Sequence, residues 1–111
     1  MNSEVNVLGT VYAIETRKWN DDRKLHEALG YVEQYSKKII LKDIFPDCMT
    51  VEDVDQLRRE VARHEIVHAF FFESGMSEWA EDETLVEWVA VMLPKLAAAM
   101  CEAGAMPDAD S

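Results

Sequence analysis

At 111 residues, 49% of them apolar, the chain can build one modest hydrophobic core and is not disordered by composition. Its formal charge of −11 argues against a nucleic-acid backbone or an anionic membrane surface as partner, because both need a basic face. The start, Met1-Asn2-Ser3-Glu4, lacks the basic and apolar regions of a signal peptide, no apolar run is read as long enough to span a bilayer, and Cys48 and Cys101 form no CxxC pair, so a cytoplasmic protein with free thiols is expected.

Residues 4–16 are rich in β-branched and aromatic side chains and predict a strand bent at Gly9. Asn20, Asp21 and Asp22 offer caps for a short helix reaching Leu29, with Gly30 at its end and Leu25 and Leu29 facing the core. Two β-type runs follow, at 31–35 and 38–43. Lysines at both ends of the second read as an exposed edge strand. Phe45-Pro46-Asp47 is a breaker. Thr50-Val51-Glu52-Asp53 has the form of a capping box, opening a helix over 50–74 that Gly75 stops. Along it Val54, Leu57, Val61, His64, His68 and Phe71 recur at the three–four spacing of one helix face. Ser77 or Asp82 caps a further helix over 79–103 carrying Leu85, Val86, Val89, Met92, Leu93 and Leu96. Pro94 predicts a kink or break in it near Leu93. Residues 104–111 are small and acidic and read as a frayed tail. No repeat or linker divides the chain, which reads as one α+β domain over 1–111: a small antiparallel or mixed β-sheet packed on two main helices.

The chemistry concentrates in His64-Glu65-Ile66-Val67-His68, an HExxH string inside the first long helix. Residues four apart lie one above the other on a helix, so the two imidazoles can offer nitrogens to one metal ion. Glu65 is rotated by roughly 100° from His64, which places it beside the metal as a general base and not on it. A catalytic zinc takes three protein ligands. The third is expected from the next helix, where Glu78, Glu81, Asp82, Glu83 and Glu87 are all candidates. His26 reads as a surface or satisfied histidine. Phe70, Phe71 and Phe72 cover much of a helix circumference, so one of them is free to face a partner chain.

The helix-borne HExxH followed by Glu83-Thr84-Leu85-Val86-Glu87 resembles the gluzincin group of zinc metallopeptidases, whose second helix carries E-x-x-x-D. It is also similar to small metallopeptidase-like proteins of phages and mobile elements. The resemblance spans roughly residues 50–95 and departs from the group in having Glu for Asp at 87. It implies Zn²⁺ held by His64, His68 and Glu83, with Glu87 orienting His64 and Glu65 as catalytic base in peptide-bond hydrolysis. A peptide or protein is then the substrate, and an edge strand such as 38–43 would hold it in extended form. The oxyanion would fall to Tyr12, Tyr31, Tyr35 or Arg63, since no histidine follows the motif. The alternative is a catalytically inactive or latent metal-binding or interaction module.

Overall fold

The computed structural model of the chain describes residues 3–43 and 53–107. Two strands, β1 (Glu4–Val7) and β2 (Thr10–Arg17), are followed by two single 3₁₀ turns, Trp19–Asp21 and Arg23–His26. Then come β3 (Gly30–Glu33) and β4 (Lys38–Lys42), and finally α1 (Val54–Glu73), the one-turn α2 (Ser77–Ala80) and α3 (Glu83–Glu102). The fold is α+β, with a four-stranded mixed sheet in the order β1-β2-β4-β3. β2 and β4 run parallel, and the two outer pairings are antiparallel.

The stretch expected as one bent strand is a hairpin. Leu8 (φ 52°) and Gly9 (φ 93°) are both left-handed and form the two-residue turn whose twist suits antiparallel strands. Asn6 Oδ1 accepts from the Gly9 amide at 2.7 Å, and this offsets the roughly 1 kcal/mol that a left-handed conformation costs Leu8. The short helix expected after residue 20 is reduced to the 3₁₀ turns. Asp22 caps the second of them through the Lys24 amide, Leu25 is fully buried, and Leu29 remains exposed.

The strand read as an edge is in fact central. β4 lies between β2 and β3, and Ile39, Ile40 and Leu41 are all buried. An unbroken apolar run suits a strand covered on both faces; Lys38 and Lys42 sit at its ends and do not mark a free edge. On one face Val7, Tyr12, Ile39 and Leu41 pack against Ala62 and Ala69 of α1. Ile40 and its register partner Tyr31 point to the other face, where Lys24 of the 3₁₀ turn lies over the Tyr31 ring.

α1 begins at Val54 with Asp53 as its cap, accepting from the Gln56 amide at 2.9 Å; Thr50, expected in that role, lies outside the described residues. α1 lies directly on the sheet. α3 packs on α1 through Val86 and Ala90 against Val67, with Phe71 and Val89 alongside. α3 is capped by Asp82, whose carboxylate accepts from the Leu85 amide at 3.0 Å, and it continues through Pro94 without a break. It is also long and apolar enough to cross a membrane by length and composition, with a mean hydropathy of 1.5 in its most apolar window, which the reading of the sequence did not register.

Candidate metal centre

α1 and α3 each bring two residues to one point. His64 and His68 lie a turn apart on α1. Glu83 and Glu87 lie a turn apart on α3, whose start is fixed by the Asp82 cap. The cap places Glu83 in the first turn, where the helix dipole favours a carboxylate.

His64 Nε2 is 2.9 Å from Glu83 Oε2, His68 Nε2 is 3.1 Å from Glu83 Oε1, and the two Nε2 atoms are 3.2 Å apart. Each ring is turned by a partner on its other nitrogen. His64 Nδ1 donates to Glu87 Oε2 at 2.6 Å, and His68 Nδ1 donates to the Ala80 carbonyl at 2.6 Å. Those bonds leave both Nε2 lone pairs aimed at each other and at a carboxylate, an arrangement that calls for positive charge between them. His64, His68 and Glu83 can hold a metal ion. Donor atoms around a tetrahedral zinc at ~2.0–2.1 Å stand roughly 3.3 Å apart, close to the spacing here.

Without a metal the same electrostatics act on protons. Burial alone would push the His64 pKa down, but the Glu87 and Glu83 carboxylates outweigh it and raise it. Glu65 is almost wholly buried, and desolvation pushes its carboxyl up to about 7, with His64 opposing and Glu83 adding to the shift. A base with that pKa is poised for proton transfer near neutrality.

β3 closes over Glu65 at Gly30. A methyl group at residue 30 would stand 2.9 Å from the Ile40 carbonyl oxygen, 3.2 Å from Glu65 Cγ and 3.2 Å from Val61 Cγ1. Gly30→Ala is therefore expected to cost about 1–3 kcal/mol of stability, read as a lower urea midpoint. A midpoint equal to the parent's would show that the strand can shift freely.

The site opens into a cleft of about 400 Å³ whose lining combines the apolar Leu29, Leu57 and Val61 with the carboxylates of Glu60, Glu83 and Glu87. A larger cleft of about 740 Å³ has Lys42, Arg58 and Arg59 in its lining; among the described residues it shares only Val61 with the first cleft and contains no imidazole or thiol.

Of the other third-ligand candidates, Asp82 is the helix cap, and Glu78 and Glu81 are exposed on and just after α2. The tyrosines considered for the oxyanion are engaged elsewhere or far out. Tyr12 donates to Glu73 at 2.9 Å, Tyr31 donates to Asp22 on the far side of the sheet, and Tyr35 is 93% exposed. His26 packs edge-on against Trp19. Two contributors escaped sequence reasoning: the Ala80 carbonyl, which any residue type supplies, and Gly30, whose role depends on a close approach between distant segments.

No family model matches the chain, and no curated protein or solved structure matches it.

Proposed function

We propose that this chain is a zinc-dependent metallopeptidase. The observation that carries the reading is the convergence of His64 Nε2, His68 Nε2 and a Glu83 carboxylate at one point, with the buried Glu65 beside them. Two imidazoles and one carboxylate are a donor set of catalytic zinc, one that leaves a position open, whereas closed structural sites are built mainly from thiolates. The resemblance to gluzincins in the HExxH string and Glu83 points the same way. Zinc, when bound, supplies Lewis-acid polarisation of the scissile carbonyl and lowers the pKa of the attacking water.

The chain's own residues do the rest. Glu65 accepts the proton from the attacking water as its oxygen bonds to the carbonyl carbon. It then returns that proton to the departing amine as the C–N bond breaks. Glu87 and the Ala80 carbonyl hold the two imidazoles in the tautomer that presents Nε2. β3, not the central 38–43 strand, is the sheet edge beside the cleft, and its unpaired backbone groups suit an extended peptide. A cleft lining that mixes apolar side chains with carboxylates favours peptides that combine an apolar residue with a basic one.

The test is cleavage of a broad peptide library by zinc-loaded protein. Glu65→Gln keeps the metal and the shape while removing the base, and is expected to lower turnover by roughly 10²–10⁴-fold. A Gln variant as active as the parent overturns the assignment of Glu65. A parent that holds zinc but cleaves nothing leaves the metal-binding module as the better reading.

A further inference from the structure

We propose that the free half of α3 pairs with the same helix of a second copy, antiparallel, about a two-fold axis. Beyond Ala90 the helix leaves the body of the molecule. From Val91 to Glu102 every described side chain is exposed except the half-buried Ala97, with Leu93 51% and Leu96 50% accessible. Apart from Lys95 and Glu102 the segment carries no charge. A helix apolar on all sides needs a covering partner.

The pattern on that helix selects the partner. Val86 and Ala90 occupy the face turned to α1. Around the helix from them Met92, Leu96, Ala99 and Ala103 recur at intervals of four, three and four, the seam of a two-helix pairing. The seam has large residues in its first half and small ones in its second. Antiparallel pairing seats Leu96 against Ala99 of the other copy and Met92 against Ala103, so each large side chain meets a small one. The same alignment brings Lys95, on the flank of the seam, opposite Glu102 of the other copy, and by symmetry this happens twice. Neither residue makes an ion pair among the described residues. Parallel pairing would set Leu96 on Leu96 and Ala99 on Ala99, and it would leave both charges unmatched.

A bilayer fits the segment less well. The first part of α3 is packed on α1 and carries Glu83 and Glu87 at the metal centre. The free part, Val91–Glu102, is roughly 18 Å long at ~1.5 Å per residue, well short of the ~30 Å of hydrocarbon it would have to cross. An overlap of that length also buries less than a permanent dimer needs, so the association is weak and reversible.

The test is sedimentation velocity of the full chain from low to high micromolar concentration. A reversible monomer–dimer equilibrium is expected. Lys95→Glu, which turns two attractions into two repulsions, is expected to weaken it roughly tenfold. Lys95→Glu with Glu102→Lys is expected to restore it. An unchanged circular dichroism spectrum and zinc content certify the fold of each variant. Three results overturn the proposal: a chain that stays monomeric throughout, an association indifferent to the charge reversal or not restored by the double exchange, and monomeric chain that co-floats with phosphatidylcholine vesicles. The last would assign the face to lipid. None of these readouts depends on peptidase activity.

Discussion

His68→Ala is expected to abolish stoichiometric zinc binding, and His64→Ala to do the same. On the proposed reading each imidazole supplies one of the three protein donors, and with two left the site would have neither the number nor the geometry to hold zinc against water. Glu87→Gln is the informative contrast. It leaves all three donors and removes only the carboxylate that turns His64, so it is expected to weaken binding roughly 10–100-fold. Elemental mass spectrometry of purified protein gives the stoichiometry, and titration calorimetry gives the affinities. Binding also stabilises the fold by linkage, by about 4 kcal/mol when free zinc is 1,000 times its dissociation constant. The parent's thermal midpoint should therefore rise with zinc, while that of His68→Ala should not. If the parent takes up no zinc, the two histidines are satisfied by Glu83 and Glu87 alone, and the peptidase reading goes with the metal.

Metal-free protein is expected to lose stability as pH rises from about 4.5 to above 7, and zinc-loaded protein to gain it. Glu65 has a folded pKa of about 7 against an ordinary 4.5, so between those values the native state binds the extra proton. Stability falls with pH wherever the native state binds more protons than the unfolded chain. The loss from Glu65 alone is on the order of 3 kcal/mol across the window. His64 acts in the same direction. Its raised pKa contributes stability that is present below its unfolded value of 6.5 and is lost as pH rises through the folded one. Glu15, Asp22 and Glu73 act oppositely. Arg17 for Glu15, Tyr31 for Asp22 and Lys37 for Glu73 hold these carboxyls low, so their stabilising contribution disappears on acidification. The metal-free protein should therefore be most stable in mildly acidic solution. Bound zinc is expected to reverse the slope, because it would bind only the deprotonated ligands and displace protons from them. Urea midpoints at pH 5 and pH 8, with chelator and with zinc, should diverge as pH rises. Glu65→Gln should reduce the metal-free slope to the share that His64 contributes. A metal-free midpoint independent of pH, or one whose slope is undiminished by Glu65→Gln, would show that the buried carboxyl does not titrate as described.

Where the chain carries its signal in local periodicity, the reading and the structure agree on the α+β class and on two long helices. The three–four stripe through Val61, His64, His68 and Phe71 already puts both imidazoles on one face of α1. The same spacing puts Glu83 and Glu87 on one face of α3. Local signals misled where their meaning depends on neighbours. Lys38 and Lys42 look like edge markers only until β2 and β3 are seen on either side of β4. Leu8-Gly9 lacks the Asn-Gly of a typical hairpin, so the turn passed for a bend.

The sequence by itself determined the donor types, their helical spacing and the carboxylate next to the first histidine, because a helix turns chain separation directly into spatial separation. Only the tertiary structure decided which carboxylate meets both imidazoles, that a backbone carbonyl at Ala80 orients His68, and that Gly30 lets a strand pack closely against the stem of Glu65. It likewise decided that half of α3 stands free of the body. Those outcomes depend on contacts between segments far apart in the chain, whose separation in space no local pattern encodes.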